Sequence, residues 1–184
     1  MELNNKIKYF DYFISQIVVF NSEGSIDNCK VENAVKRYRL SRLKLLKLLF
    51  FLSVIDIDKK YLVDDVFDNF HAMPYGPVES DIYNQIDKIP HYFIGNKSIS
   101  LKDTTKIVTY QNEDSDEIYQ RIREGLKELY KKNSALFTMS SYDLVELSHK
   151  ADSWRIIYSE AQRNGKFSQP MSPAIIKSTT VYFR

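Results

Sequence analysis

Cysteine is nearly absent from this chain: Cys29 is the only one in 184 residues. It has no intramolecular partner for a disulfide, which points to a reducing compartment. Glycine and proline are scarce too, with five of each. That excludes a Gly-rich phosphate loop and a strand–Gly–helix dinucleotide fingerprint, and it leaves few flexible linkers. Long apolar runs are also missing. The longest, Leu48 to Ile55 broken by Ser53, falls far short of the roughly 20 residues a bilayer span requires. The start, MELNNKIKYFDYF, lacks the pattern of a secretory signal. These absences predict a cytoplasmic protein that does not engage a membrane. Neither charge sign dominates: 26 Lys and Arg face 24 Asp and Glu, a net charge of +2, too small to demand a polyanion partner. The histidines, His71, His91 and His149, are far apart and no cysteine pair exists, so neither a metal site nor another cofactor is expected.

What the chain has is aromatic surface, thirteen Tyr and eleven Phe, suited to cores and to protein interfaces. Its length fits one domain spanning residues 1–184. The patterning predicts a mainly α (α+β) fold: a compact helical domain with a central apolar helix and a small β-hairpin or short strands. Asn5 to Phe20 places Ile7, Phe10, Ile14, Ile17 and Val18 on one helical stripe, with turn chemistry at Asn21–Gly24. A short helix is expected over Val31 to Tyr38. Ser41 then reads as the N-cap of a helix apolar almost all round, with Lys44 and Lys47 marking its one wet edge. Residues 61–73 read as irregular and partly extended. In Pro74-Tyr75-Gly76-Pro77, Gly76 supplies backbone freedom. Pro77 suits the first position of a helix carrying Val78, Ile82, Tyr83 and Ile86 inward. Weak alternation over 92–111, around Gly95-Asn96, predicts a hairpin or three short strands. Helices follow over Asp114 to Lys131, Tyr142 to His149 (capped by Ser140 or Ser141) and Trp154 to Gln162, then a strand-like Thr179 to Phe183.

Catalytic constellations are hard to assemble from these residues. Cys29, His149 and Asp152 form a triad only on paper, because nothing in the sequence brings Cys29 near. Ser148 and His149 are adjacent on a helix, about 100° apart, and cannot pair. The chain is therefore expected not to be an enzyme. Charge is distributed in blocks. Lys30, Lys36, Arg37, Arg39, Arg42, Lys44 and Lys47 crowd one stretch in which Glu32 is the only acid. Solvated faces are the plain reading, and a nucleic-acid-binding regulator using segment 30–47 is the alternative.

Three segments, taken in order, resemble one family. They are Leu43-Lys44-Leu45-Leu46-Lys47-Leu48-Leu49-Phe50-Phe51, His71-Ala72-Met73-Pro74-Tyr75-Gly76-Pro77-Val78, and Leu144-Val145-Glu146-Leu147-Ser148-His149-Lys150 with Trp154 behind it. Their order and spacing, over roughly residues 35–165, are similar to the SocA-like Panacea antitoxin domain of bacteria, prophages and mobile elements. That pattern has a Lys-Leu-x-Lys-Leu-Leu-Tyr-Tyr helix, an Ala-x-x-x-Gly-Pro-Val turn and a Leu-Thr-His segment before a Trp. Phe50-Phe51 and Ser148 are departures from it. The resemblance implies an antitoxin that neutralises a toxin encoded nearby by direct protein binding; some members also act as adaptors that pass the toxin to a cellular protease. The partner-binding residues it leads us to expect are Tyr75, Gly76, Pro77, His149, Trp154 and Arg155, with nucleic acid not a partner.

Overall fold

The computed structural model describes residues 1–20, 26–111 and 113–178. Helix α1 spans Leu3–Val18. Its predicted stripe is buried, and so are Lys6, Tyr9, Asp11, Tyr12, Phe13 and Ser15, so α1 is enclosed on most sides. Helix α2 spans Asn28–Tyr38. It begins three residues before the expected Val31 because Asp27 caps it, accepting from the Lys30 amide at 2.8 Å. It ends where Arg39 turns left-handed at φ 51°. Helix α3, Arg42–Ser53, is capped by Ser41 and runs through the middle of the molecule. Leu45, Leu46 and the residues from Leu48 to Leu52 are all 2% exposed or less. Helix α4 is a single turn, Leu62–Asp65.

Strand β1, Phe70–Met73, pairs antiparallel with β2, Gly76–Glu79, from Phe70↔Glu79 to Met73↔Gly76. Pro74-Tyr75 is thus a two-residue hairpin loop. The helix expected to begin at Pro77 does not. Pairing with Ala72 holds Pro77 in β2, and the Glu79 carboxylate caps helix α5, Ser80–Asn84, by accepting from the Ile82 amide at 2.8 Å. The later start changes the phase. Ile82 and Ile86 are buried as expected, but Tyr83 is 44% exposed. After a 3-10 turn at Ile86–Lys88, strands β3 (Tyr92–Ile94) and β4 (Ile99–Leu101) form the predicted hairpin.

Helix α6, Glu117–Lys132, is capped by Asp116. Its Gly125 lets α3 approach closely, since a Cβ there would stand 2.6 Å from Leu52 Cδ1. A 3-10 turn at Ser134–Phe137 leads to α7, Ser141–His149, which Ser140 and Asp143 close with a reciprocal capping box. Helix α8, Asp152–Arg163, follows. Strand β5, Gln169–Pro170, joins β1 to give sheet order β2-β1-β5, and α9, Pro173–Ser178, is the last described element. The turn expected at 21–24 and the strand expected at 179–183 lie outside the described residues. The buried apolar side chains form one continuous cluster around α3. No described helix is long and apolar enough to cross a membrane.

The reading of Lys44 and Lys47 as a wet edge is overturned: both are 0% exposed. A helix walled in by α4, α6, α7 and β2 offers its lysines no path to water. Each ammonium is met instead by a backbone carbonyl, Lys44 Nζ donating to Met139 O at 2.6 Å and Lys47 Nζ to Pro77 O at 2.6 Å.

Candidate functional site

The three segments that carry the resemblance converge on the tip of the β1–β2 hairpin. Gly76 adopts φ 92°, a conformation favouring glycine. A side chain there would run into Ser148 of α7, with Lys47 Nζ at 3.0 Å. Ser148 is itself buried and donates to the Val145 carbonyl at 2.8 Å. On the far side, Trp154 Nε1 donates to Met73 O at 2.9 Å. The His149 imidazole lies flat on Trp154 with centroids 3.8 Å apart, and Tyr158 also stacks with the indole, at 5.0 Å. His149 also bonds the backbone of Pro74. Proline has no N–H, so the imidazole donates to the carbonyl. Nε2 is buried without a partner, so Nδ1 carries that proton. Burial, helped by nearby Lys47 and opposed by Glu146, lowers His149 from the usual histidine range, which favours the uncharged ring. Burial alone pushes Lys47 down to about 7, and burial with Arg39 nearby lowers Lys44 to about 8.

A hairpin tip is thus clamped by one lysine, one histidine and one tryptophan, each bonded to a different carbonyl of residues 73–77. What emerges from the clamp is Tyr75, 59% exposed. Of the six residues expected to bind a partner, Tyr75, Gly76, Pro77, His149 and Trp154 are brought together. Arg155 points outward and pairs with Asp152 at 2.5 Å. Gly76 and Pro77 are buried and offer no contact surface of their own. Lys47 is the member that sequence reading missed. The signal was present: a cation on a helix apolar all round must find a carbonyl or a carboxylate.

Two further polar clusters fasten α1. Lys6 Nζ stands 2.6 Å from Asp68, 2.8 Å from Glu79 and 2.5 Å from Asp81. The three carboxylates lie close enough together to hold a metal ion, but the Lys6 ammonium already stands among them. Burial opposes its charge, yet the three carboxylates overcome that and raise it above the usual lysine range. Burial likewise pushes Glu79 up. Asp11, 1% exposed, receives the His91 amide at 3.0 Å, His91 Nδ1 at 2.6 Å and the Tyr110 hydroxyl at 2.6 Å. The hydrogen bond to Asp11 raises His91 above its usual range. The hydroxyls near this dyad, Ser15, Tyr92 and Tyr110, bond one another, which makes it a fastening between α1 and the β3 hairpin. Cys29 stands exposed on α2, its sulfur 3.6 Å from Asn33 Nδ2, while His149 is committed to Pro74 and Trp154.

The basic stretch is not continuous on the surface. Lys44 and Lys47 are internal, and Arg42 donates to the Ile94 carbonyl at 3.2 Å. Lys30, Lys36, Arg37 and Arg39 remain on or beside α2.

With this geometry in place, comparison with known proteins is informative on one point. The model of the family described as antitoxin SocA-like, Panacea domain, matches residues 45–155, well over half of the chain. The matched stretch runs from α3 through the hairpin tip to the start of α8. No curated protein and no solved structure matches the chain.

Proposed function

Because the chain belongs to the SocA-like, Panacea domain family of antitoxins, we propose that it is the antitoxin of a bacterial or prophage toxin–antitoxin pair. It acts in the cytoplasm without catalysing a reaction, and neutralises the toxin encoded beside it by direct protein contact. The family match carries this reading. The geometry supports it by presenting Tyr75 on a clamped hairpin tip beside the Trp154 column and the outward Arg155, residue types favoured at the centres of interfaces. A stable complex of this kind buries roughly 1,200–2,000 Å². The nucleic-acid alternative is weakened because Lys44 and Lys47 cannot reach a phosphate.

The test is co-expression with the neighbouring gene. Growth should be rescued and the two proteins should co-purify. Where rescue comes with falling toxin levels that require a cellular protease, the chain acts as an adaptor. Absence of both rescue and association with any neighbouring gene product defeats the proposal.

A further inference from the structure

Phe167 is the most exposed large apolar side chain among the described residues, 84% open to solvent, yet its backbone is fixed on both sides. Before it, α8 ends in a Schellman turn. Gly165 is left-handed at φ 65°, its amide donates to Gln162 O at 3.0 Å, and the Lys166 amide donates to Ala161 O at 2.8 Å. After it, Ser168 Oγ lies 3.0 Å from His71 Nδ1, and Gln169 pairs with Ala72 of β1. An aromatic side chain held out in water on a fixed backbone contributes little to its own fold. Covering it costs little entropy and brings a hydrophobic gain.

Beside it opens a crevice of about 320 Å³, lined by Tyr158 and Gln162 of α8 and by Gly165, Lys166 and Phe167. All five lie beyond the matched stretch 45–155. That volume is at the low end for a ligand pocket and suits one aromatic side chain. Knob and hole thus share one face, which is what a surface needs in order to pair with its own copy about a two-fold axis. Its polar group is self-complementary too. The Gln162 amide offers both donor and acceptor, so it can pair with its own counterpart. Charge along α8 is balanced, Asp152 and Glu160 matching Arg155 and Arg163. Two copies of this helix therefore meet without net repulsion, and a strongly acidic or basic partner finds no field to select it.

We propose that the chain forms a two-fold dimer through this face, Phe167 of each copy entering the crevice of the other. Each Phe167 ring then packs against Tyr158 of the opposite copy, and the two Gln162 amides meet near the axis. Lys166, the one further charge at the rim, keeps its ammonium in water. Inserting two aromatic side chains, with the walls they cover, removes on the order of 1,000 Å² from solvent. That is the size of a weak, transient interface, which sets the dissociation constant at roughly 10–100 μM. The dimer goes beyond the antitoxin reading and does not rest on it.

Sedimentation velocity on the full chain, from about 2 to about 300 μM, tests the dimer directly. The unaltered chain should pass from monomer to dimer over that range. Phe167→Ser should raise the dissociation constant at least about 10-fold while the thermal midpoint of the dilute chain holds. Ile156→Ser makes a comparable change on the opposite side of α8 from Tyr158, at a side chain 58% exposed. It should alter the dissociation constant less than about 3-fold. A chain that stays monomeric throughout overturns the proposal. So does a dimer that Phe167→Ser leaves intact, or one that the two variants weaken equally. If the chain is monomeric and Phe167→Ser abolishes co-purification with a neighbouring gene product, the crevice takes another protein and the second copy is ruled out.

Discussion

Lys6 and Lys47 are both buried, 2% and 0% exposed, in regions built on opposite principles. At the N-terminal end of α1, the Lys6 ammonium is ringed by Asp68, Glu79 and Asp81 and stays charged. Beneath the hairpin tip, Lys47 meets the Pro77 carbonyl at 2.6 Å, and its charge is disfavoured. The first region joins elements by charge, so removing one partner strands the others. The second joins them by shape and single hydrogen bonds, so its tolerance depends on volume. Burying a lysine is therefore not one structural device but two, separated by whether carboxylates are present.

The largest expected effect tests the shape-built region. Gly76→Val forces a β-branched residue to φ 92° and drives its side chain toward Ser148 and Lys47. Strain and overpacking together should cost about 4 kcal/mol, lowering the thermal midpoint by roughly 8–16 °C for a chain of this size. An unchanged midpoint would mean that the tip is not clamped.

Next is the charge-built region. Lys6→Ala leaves Glu79, 0% exposed, without its cation. The loss should be about 3 kcal/mol, at the low end for a broken buried pair because Asp68 and Asp81 are partly solvated. Denaturant titration measures it. A loss no larger than that of Lys47→Met would erase the distinction between the regions.

Lys47→Met sharpens the comparison through pH. With Lys47 lowered from 10.5 to about 7 in the folded chain, the unfolded chain binds the extra proton between those values. Unaltered protein therefore gains stability as pH rises through that window, by up to about 1.4 kcal/mol per unit. Below about 7 the penalty of charging a buried amine is fully present. Methionine carries no such penalty but leaves Pro77 O unpaired. The variant should be less stable than the unaltered chain by about 1 kcal/mol at high pH, with the gap closing or reversing at pH about 6. His91, raised by Asp11, works the other way, its contribution being full below 6.5 and lost as pH rises through the raised value. Both chains share it, so it cancels in the difference. A pH-independent gap between thermal midpoints would show that Lys47 is not titrating in the fold.

The smallest effect belongs to Arg155→Ala. Arg155 is exposed and, among the described residues, its guanidinium pairs with Asp152, so chain stability should change by less than about 0.5 kcal/mol. If Arg155 anchors the partner, co-purification should fall while the thermal midpoint holds. Equal recovery of partner removes it from the interface.

Much of the scaffold was legible along the chain because it depends on neighbours. Ser41 and Ser140 announced their helices through capping chemistry, and Gly95-Asn96 announced its hairpin. Pro77 misled, because the feature that suits a helix start equally suits a strand whose pairing is decided by β1. Within the candidate site, the exposure of Tyr75 followed from its turn. The clamp beneath it did not, because His149 and Trp154 reach carbonyls far away in sequence, Trp154 and Met73 being separated by 81 residues.

The sequence by itself determined the helical class, the apolar α3, the hairpin-tip motif and the family, because periodicity, caps and short motifs are local or ordered along the chain. Only the tertiary structure decided which charges are inside. Lys6 finds its carboxylates 73 and 75 residues away at Glu79 and Asp81, and Lys47 finds Pro77 across the core. The ionisation state of a buried amine is set by those non-local neighbours and by loss of water, and neither is written in the residues beside it.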